Sequence, residues 1–361
     1  IASLIGLLIY FAVLLFAVSK DKANQNVLDY FFAGRSPFWA LSITFIASWW
    51  GAGSALSTAD LAYTDGLSAF WYYGAPVLIA TFLMIVGAKG HPPGGVLTQG
   101  KMMAARYSEG VSKVLSVMIL IFMTLSAASQ MVGTGDFFGT YLGLDYELAV
   151  LAGTGIVLIY SLFGGFRGVV LTDIIQFVLL VLSAVVVFIT ALTRSGGLSA
   201  IGEAAAAAGK DGYMSITAGT SKYAMYIITF GCAWTIQANV WQRISAARTD
   251  KDARKMTVLS FFAYIPLYLI VVLTGMAGLV LFDTLPQGGV VTAVVVNYLP
   301  PVLGAIAFVG ISAAVMSTMD SLINTGAMTL ALDLNTPGTG RKQKAPVFPG
   351  SHPHRHPSAP C

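Results

Sequence analysis

The chain has 361 residues, a formal net charge of +4, 56% apolar residues and only 10% charged ones. Its mean hydropathy is +0.77. A soluble domain carries about 25% charged residues, so this chain cannot cover itself against water. Its apolar runs are long and continuous, without the roughly ten-residue alternation of a membrane barrel. A run of about 20 apolar residues crosses a bilayer as a helix, which satisfies every backbone group internally. These features indicate an all-α polytopic membrane protein.

Nine candidate spans follow in chain order, at 1–18, 38–62, 69–90, 112–140, 147–163, 169–193, 222–242, 256–282 and 300–333. The first, Ile1 to Val18, exceeds the roughly 7–15 apolar residues of a secretory signal and ends in Lys20-Asp21-Lys22, so it reads as a span. The second, FWALSITFIASWWGAGSALSTADLAY, places Gly51, Gly53 and Ser54 in the middle of an apolar helix. Glycine costs up to about 1 kcal/mol in a helix interior, and small polar side chains compete for backbone bonds. One reading is close helix packing through small residues. The other is a broken helix whose carbonyl oxygens face a cavity, which is how many transporters build ion and solute sites. No strand precedes Gly51 and Gly53, so they open no nucleotide-binding loop. Trp71, Tyr72 and Tyr73, at the edge of the third span, read as interface anchors.

Asp173, at the start of the sixth span, reads first as an N-terminal helix cap. A connector rich in Ala and Gly runs from Arg194 to Lys222, and the seventh span holds Trp234 and Gln237. The ninth span reads FVGISAAVMSTMDSLINTGAMTLALDL. Ser317 and Thr318 are adjacent hydroxyls there, and hydroxyl and carbonyl oxygens suit a hard cation. A neutral set fits a monovalent ion better than a divalent one, although a single Ser or Thr usually bonds back to its own helix. Asp320 is costly within a span, and such a carboxylate marks a pathway or a paired interior group. Residues 335–361, rich in Pro, Gly, His and basic residues, form an expected disordered tail after a 1–334 membrane domain.

With the N-terminus outside, the inner segments hold Lys20, Lys22, Arg35, Lys89, Lys101, Arg106, Lys113, Arg167, Arg243, Arg248, Lys251, Arg254 and Lys255, against Arg194, Lys210 and Lys222 outside. The richer side is cytoplasmic. The positive charge therefore reflects topology and not a nucleic-acid surface. Cys232 and Cys361 suggest neither a disulfide framework nor a metal site, and no nucleophile with a base and orienting partner stands out. The chain reads as a non-enzyme.

Six strings in order, DYFFAGRS, TDGLSAFWY, YSLFGGFRGVV, TDIIQ, WQRISAA and AAVMSTMDSLINT, resemble the sodium:solute symporter family over Asp29 to about Asp333. The resemblance implies a leucine-transporter-like inverted-repeat fold with one extra N-terminal helix, the second repeat being incomplete in this chain. It implies sodium-coupled symport of a small organic solute by alternating access, in the bacterial inner (plasma) membrane. Its partners are sodium, a solute and the lipid bilayer, with no cofactor beyond the coupling ion. By the same resemblance, sodium is held by the carbonyls of Ala47, Trp50 and Ala314 and the side chains of Ser317 and Thr318. Ser54 matches a solute-contacting position of the family's galactose carrier, and Trp234 and Gln237 lie near the solute. Trp49 replaces a polar residue of some members. Asp173 belongs to a second sodium site in some members, and Asp173 and Asp320 are expected as second-cation or pathway groups. Two other readings are a sensor input module, marked by a histidine-kinase region after the last span, and an inactive truncated symporter.

Overall fold

The computed structural model describes residues 2–20, 27–32, 36–87 and 98–335. The expected disordered tail from residue 336 onward lies outside the described residues. Among them, secondary structure is helical apart from one isolated parallel bridge between Ser36 and Ala247.

In order, the helices are α1 (Ala2–Lys20), α2 (Val27–Phe32), α3 (Phe38–Ala47), a π-turn (Gly53–Ser57) leading into α4 (Thr58–Asp65), and a 3-10 segment (Gly66–Trp71) leading into α5 (Gly74–Gly87). Then come α6 (Gln99–Arg106), α7 (Glu109–Leu142), α8 (Tyr146–Arg194), α9 (Gly197–Ala207), α10 (Thr220–Thr235) and α11 (Ala238–Ser245). The last are α12 (Asp250–Leu281), α13 (Val290–Tyr298) and α14 (Pro301–Thr329), which runs into a π-turn at Leu330–Leu334.

Local chemistry sets these boundaries. Ser108 and Thr249 accept the Val111 and Asp252 amides at the starts of α7 and α12, satisfying donors that a helix start leaves open. Gly143 ends α7 at φ 68°, and Pro301 opens α14 where its missing N–H costs nothing. The fifth and sixth spans are two helical segments within α8, separated at Gly165, whose φ 52° and ψ −157° are not helical. A Cβ there would strike the Tyr30 backbone, so only glycine lets the chain turn between the two segments against α2. The Ala-rich Arg194–Lys222 connector contains α9, because alanine is the best helix former.

Among the described residues, five stretches are long and apolar enough to cross a membrane: Gly53–Gly87, Glu109–Leu142, Gly164–Arg194, Asp250–Leu281 and Pro301–Leu334. Shorter apolar helices lie at Ser3–Ser19, Phe38–Ala47 and Tyr146–Leu162. The chain is a multi-pass membrane protein. Within the Pro301–Leu334 stretch 83% of the most apolar window is buried, against 28% for Glu109–Leu142. That contrast places α14 at the centre, packed along α8 and α7, with α1 behind it. Opposite it α12 packs on α3 and α4, and α10 packs on α5. The outer faces carry exposed Leu125, Leu151, Leu162 and Met225, as lipid contact requires.

The seventh span departs from the continuous helix expected over 222–242. It is split at Ile236 and Gln237 into α10 and α11, a second span interrupted as the one around Gly51 is.

Candidate functional site: two broken helices and a buried charge cluster

The second span breaks where its small residues stand. Helix α3 stops at Ala47, residues 48–51 leave the helix, and helical structure resumes at Ala52. A break strands backbone groups that would cost several kcal/mol each in an apolar interior, and several of them are met by specific side chains. Tyr264 Oη donates to the Phe45 carbonyl at 3.1 Å, and Thr318 Oγ1 donates to the Ala47 carbonyl at 3.2 Å. Asn239 Nδ2 reaches the Ser48 carbonyl at 3.4 Å, and Ser54 Oγ donates to the Trp49 carbonyl at 3.0 Å. The Ala52 N–H donates to Gln130 Oε1 at 2.8 Å.

The second break faces the first. Trp49 Nε1 donates to Gln237 Oε1 at 2.5 Å, and Asn239, four residues past the end of α10, is the donor to the Ser48 carbonyl. An interrupted segment in each half, meeting at mid-molecule, is how transporters form a site. The seventh span contains neither Gly-Gly nor Pro at its break, so its interruption carried no composition signal. The polar residues Gln237, Asn239, Gln242 and Arg243 in an otherwise apolar run were the available hint.

The structure brings three of the five expected sodium residues into contact. Thr318 Oγ1 lies 3.2 Å from the Ala47 carbonyl and 3.4 Å from that of Ala314. Trp50 follows in the same break, its side chain fully buried against Tyr268. Ser317, fully buried, donates to Asp173.

Asp173 is not a helix cap. It lies well inside α8, two turns past the Gly165 kink, and is completely buried. It accepts hydrogen bonds from Thr44 and Ser317, and from Arg243 Nη2 at 3.4 Å. The expectation failed because the break sits at Gly165, so the sixth span begins about one turn before residue 169 and Asp173 lies inside the helix.

Arg243 is also misplaced by sequence. Counted among the inner-loop cations, it is fully buried in α11. Its guanidinium donates to Thr44 at 3.1 and 3.2 Å, to the Asn239 carbonyl at 2.9 Å and to Ser321 at 2.6 Å. Asp320, equally buried, accepts from Tyr160 at 2.9 Å and Ser321 at 3.3 Å. Two carboxylates and one guanidinium thus share a water-poor interior beside Ser317.

The expected solute residues line one cavity of ≈ 70 Å³ between the breaks. Ser54 also bonds Tyr268 at 2.8 Å. Trp234 stacks on Phe230 at 5.0 Å and lies 5.0 Å from Tyr73 and 6.1 Å from Trp49. Tyr73 is therefore part of this cavity wall and not an interface anchor, because the 3-10 segment turns the chain inward before α5 begins. Gln130 and Trp49 are further cavity residues absent from the expected set.

Towards the side expected to be cytoplasmic, Met123, Ala127, Ala238 and Leu322 form a small apolar cluster. Beyond it lies a second, smaller cavity lined by Gln99, Trp241, Gln242 and Asp333 among others. The start of α6 closes this cavity: Thr98 Oγ1 donates to Asp333 Oδ1 and Gln99 Nε2 to the Ile236 carbonyl, each at 2.6 Å.

The model of the sodium:solute symporter family matches residues 30–345. A sodium/glucose cotransporter of Vibrio parahaemolyticus is 25% identical over 355 residues, covering 88% of this chain and 65% of that protein. The osmoregulated proline transporter OpuE of Bacillus subtilis (strain 168) is 30% identical over 210 residues, covering 54% and 42%. A sodium/proline symporter of Staphylococcus aureus is 26% identical over 341 residues, covering 89% and 66%. The chain thus spans less than two thirds of the length of the first two relatives and about two thirds of the third. A substrate-bound, outward-open structure of a Na+-coupled sialic acid symporter superposes with a TM-score of 0.82 at 21% identity, covering 94% of this chain and 76% of that one. The fold is accordingly the leucine-transporter-like one.

Proposed function

The chain belongs to the sodium:solute symporter family, and on that premise we propose that it couples the passage of a small organic solute to sodium. One observation carries the reading: the Thr318 hydroxyl lies 3.2 Å from the Ala47 carbonyl across a mid-molecule helix break. The carbonyls of Ala47, Trp50 and Ala314 and the hydroxyls of Ser317 and Thr318 are the sodium ligands. All are neutral hard oxygens, suited to one monovalent ion. Without the ion, the Thr318 hydroxyl donates its proton to Ala47. With it, the hydroxyl turns a lone pair to the cation.

Sodium then ties α3 to α14 and biases the carrier towards the state in which both helices converge on it. The ion can bias the two states only by its differential affinity, a few kcal/mol. The solute occupies the neighbouring cavity beside Ser54, Trp234 and Gln237. At ≈ 70 Å³ that cavity is far below the roughly 300 Å³ of a typical small-molecule pocket, so loading and release require the two broken helices to separate.

A second cation is favoured by one specific feature. Asp173, bonded to Arg243, and Asp320, bonded to Tyr160 and Ser321, are two carboxyl groups near one guanidinium, so with both ionised the cluster beside Ser317 carries one more negative charge than positive. Sodium passing between these carboxylates would balance it. Localisation in the plasma membrane with the N-terminus outside is supported by the charge distribution, which with Arg243 removed still puts 12 basic residues on the inner segments against 3 outside. Sodium is the coupling ion, and no other cofactor is needed.

Sodium-dependent uptake into proteoliposomes tests the reading. Ser317→Ala and Thr318→Ala should each raise the sodium concentration needed for half-maximal uptake. An unchanged sodium dependence in both variants would remove the site assignment.

A further inference from the structure

The cavity between the breaks has a polarity that narrows what it can hold, and this inference rests on reading the chain as a solute carrier. Its walls are the rings of Trp49, Tyr73 and Trp234, and its polar groups include Ser54, Gln130 and Gln237. None of the described residues lining it is charged.

The start of a helix ordinarily welcomes a carboxylate, because open N–H groups point outward and the helix dipole favours negative charge. Here the Ala52 N–H at that end is already taken, by Gln130 Oε1 at 2.8 Å. The contact is built in. Gln130 reaches in from α7 and is only 9% exposed. It fits because residue 51 is glycine, since any Cβ at that position would fall on Gln130 Oε1.

The other amide is committed in the same sense. Gln237 Oε1 accepts the Trp49 indole N–H. Both glutamines thus use their acceptor oxygens inside the protein, and the –NH2 end of each amide remains as a donor at the cavity wall. Donors of this kind suit the lone pairs of hydroxyl, ether or carbonyl oxygens. The flat indole and phenol rings suit the apolar face of a small ring. A carboxylate entering here would surrender its hydration and meet neutral donors only, which is an unfavourable exchange. The nearby Arg243 offers no help, since it is held by Thr44, Asp173, Asn239 and Ser321.

We propose that Gln130 is a specificity-determining residue: by occupying the Ala52 amide it takes away a donor at the broken-helix end that a carboxylate would otherwise bind. It thereby restricts the site to uncharged, ring-shaped solutes rich in oxygen acceptors.

The test is thermal unfolding of the purified full chain, with and without sodium, in the presence of myo-inositol, L-proline or pyruvate. In the wild type myo-inositol should raise the melting temperature in sodium, and proline and pyruvate should not at equal concentration. Gln130→Ala should weaken the apparent inositol affinity about tenfold, equivalent to one lost hydrogen bond of about 1.4 kcal/mol, and should gain a sodium-dependent response to pyruvate. Gln130→Glu keeps an acceptor oxygen for the Ala52 N–H but loses the –NH2 donor, so it should fold as the wild type does, weaken the inositol response as Gln130→Ala does and still refuse pyruvate. A wild-type response to pyruvate or proline matching that to inositol would overturn the proposal. So would a panel with no inositol response, or a Gln130→Ala protein with unchanged selectivity. The carrier reading fails differently, as shifts that are the same with and without sodium in every arm, whatever the order of the probes.

Discussion

Thr318 Oγ1 stands 3.2 Å from the Ala47 carbonyl oxygen, a hydroxyl of an intact helix set against an oxygen freed by a broken one. The two residues are far apart in sequence, and their contact adds to the bonds through Asp173 and Arg243 that also link α3 to α14. The same hydroxyl lies 3.4 Å from the Ala314 carbonyl of its own helix. A side chain that can choose between a bond within its helix and one across the break is a switchable tie, which is what an ion-operated gate needs.

The break depends on residue 51 lacking a side chain. In Gly51→Ala the new Cβ would fall on Gln130 Oε1 and press on the Thr318 methyl. Displacements of about 1 Å at such a site cost on the order of a hundredfold in rate, so uptake should fall at least about tenfold with membrane expression retained. Gly87→Ala is the control, because a Cβ there meets nothing within 4 Å. Transport assays on the pair check this, and equal activity in both variants would contradict it.

Asp173 and Arg243 form a fully buried ion pair at 3.4 Å. Removing one partner leaves an uncompensated buried charge, which costs about 3–5 kcal/mol. Asp173→Asn and Arg243→Gln should each lower the melting temperature sharply in sodium-free detergent. The double variant should be more stable than the sum of the two losses implies. Strict additivity would show that the pair does not act as a unit.

How much of this was legible in the sequence varied by residue. The first break was readable at Gly51, Gly53 and Ser54 because small residues stand out in an apolar run. The hydroxyls of Ser317 and Thr318 were readable for the same reason. The second break was not, since Ile236 and Gln237 are ordinary helix residues and the interruption is maintained by tertiary bonds such as Trp49 to Gln237. Arg243 looked like a loop cation because its partners, Thr44, Asp173 and Ser321, come from three distant segments. Asp173 looked like a cap because hydropathy cannot see the kink at Gly165. Gln130 offered no signal at all, being one polar residue in a long apolar helix whose partner is a backbone amide.

The inner closure makes a third prediction. Thr98 and Gln99 bind Asp333 and the Ile236 carbonyl at 2.6 Å each, and Ala238 lines the cavity behind them. With Cys232 and Cys361 replaced by Ser, an Ala238→Cys probe should react slowly with a water-soluble maleimide from the inner side. Adding Asp333→Ala removes a bond to a charged group worth about 1.5–3 kcal/mol, so labelling should speed up about ten- to a hundredfold. An unchanged rate would show that α6 does not close the path.

Equilibrium binding of radioactive sodium to the purified protein tests the central claim most directly. Wild-type protein should bind sodium saturably. Thr318→Ala, which removes one oxygen ligand worth about 1.5–3 kcal/mol, should bind it about ten- to a hundredfold more weakly. Sodium affinity that is the same in both proteins, or saturable binding in neither, would contradict the account.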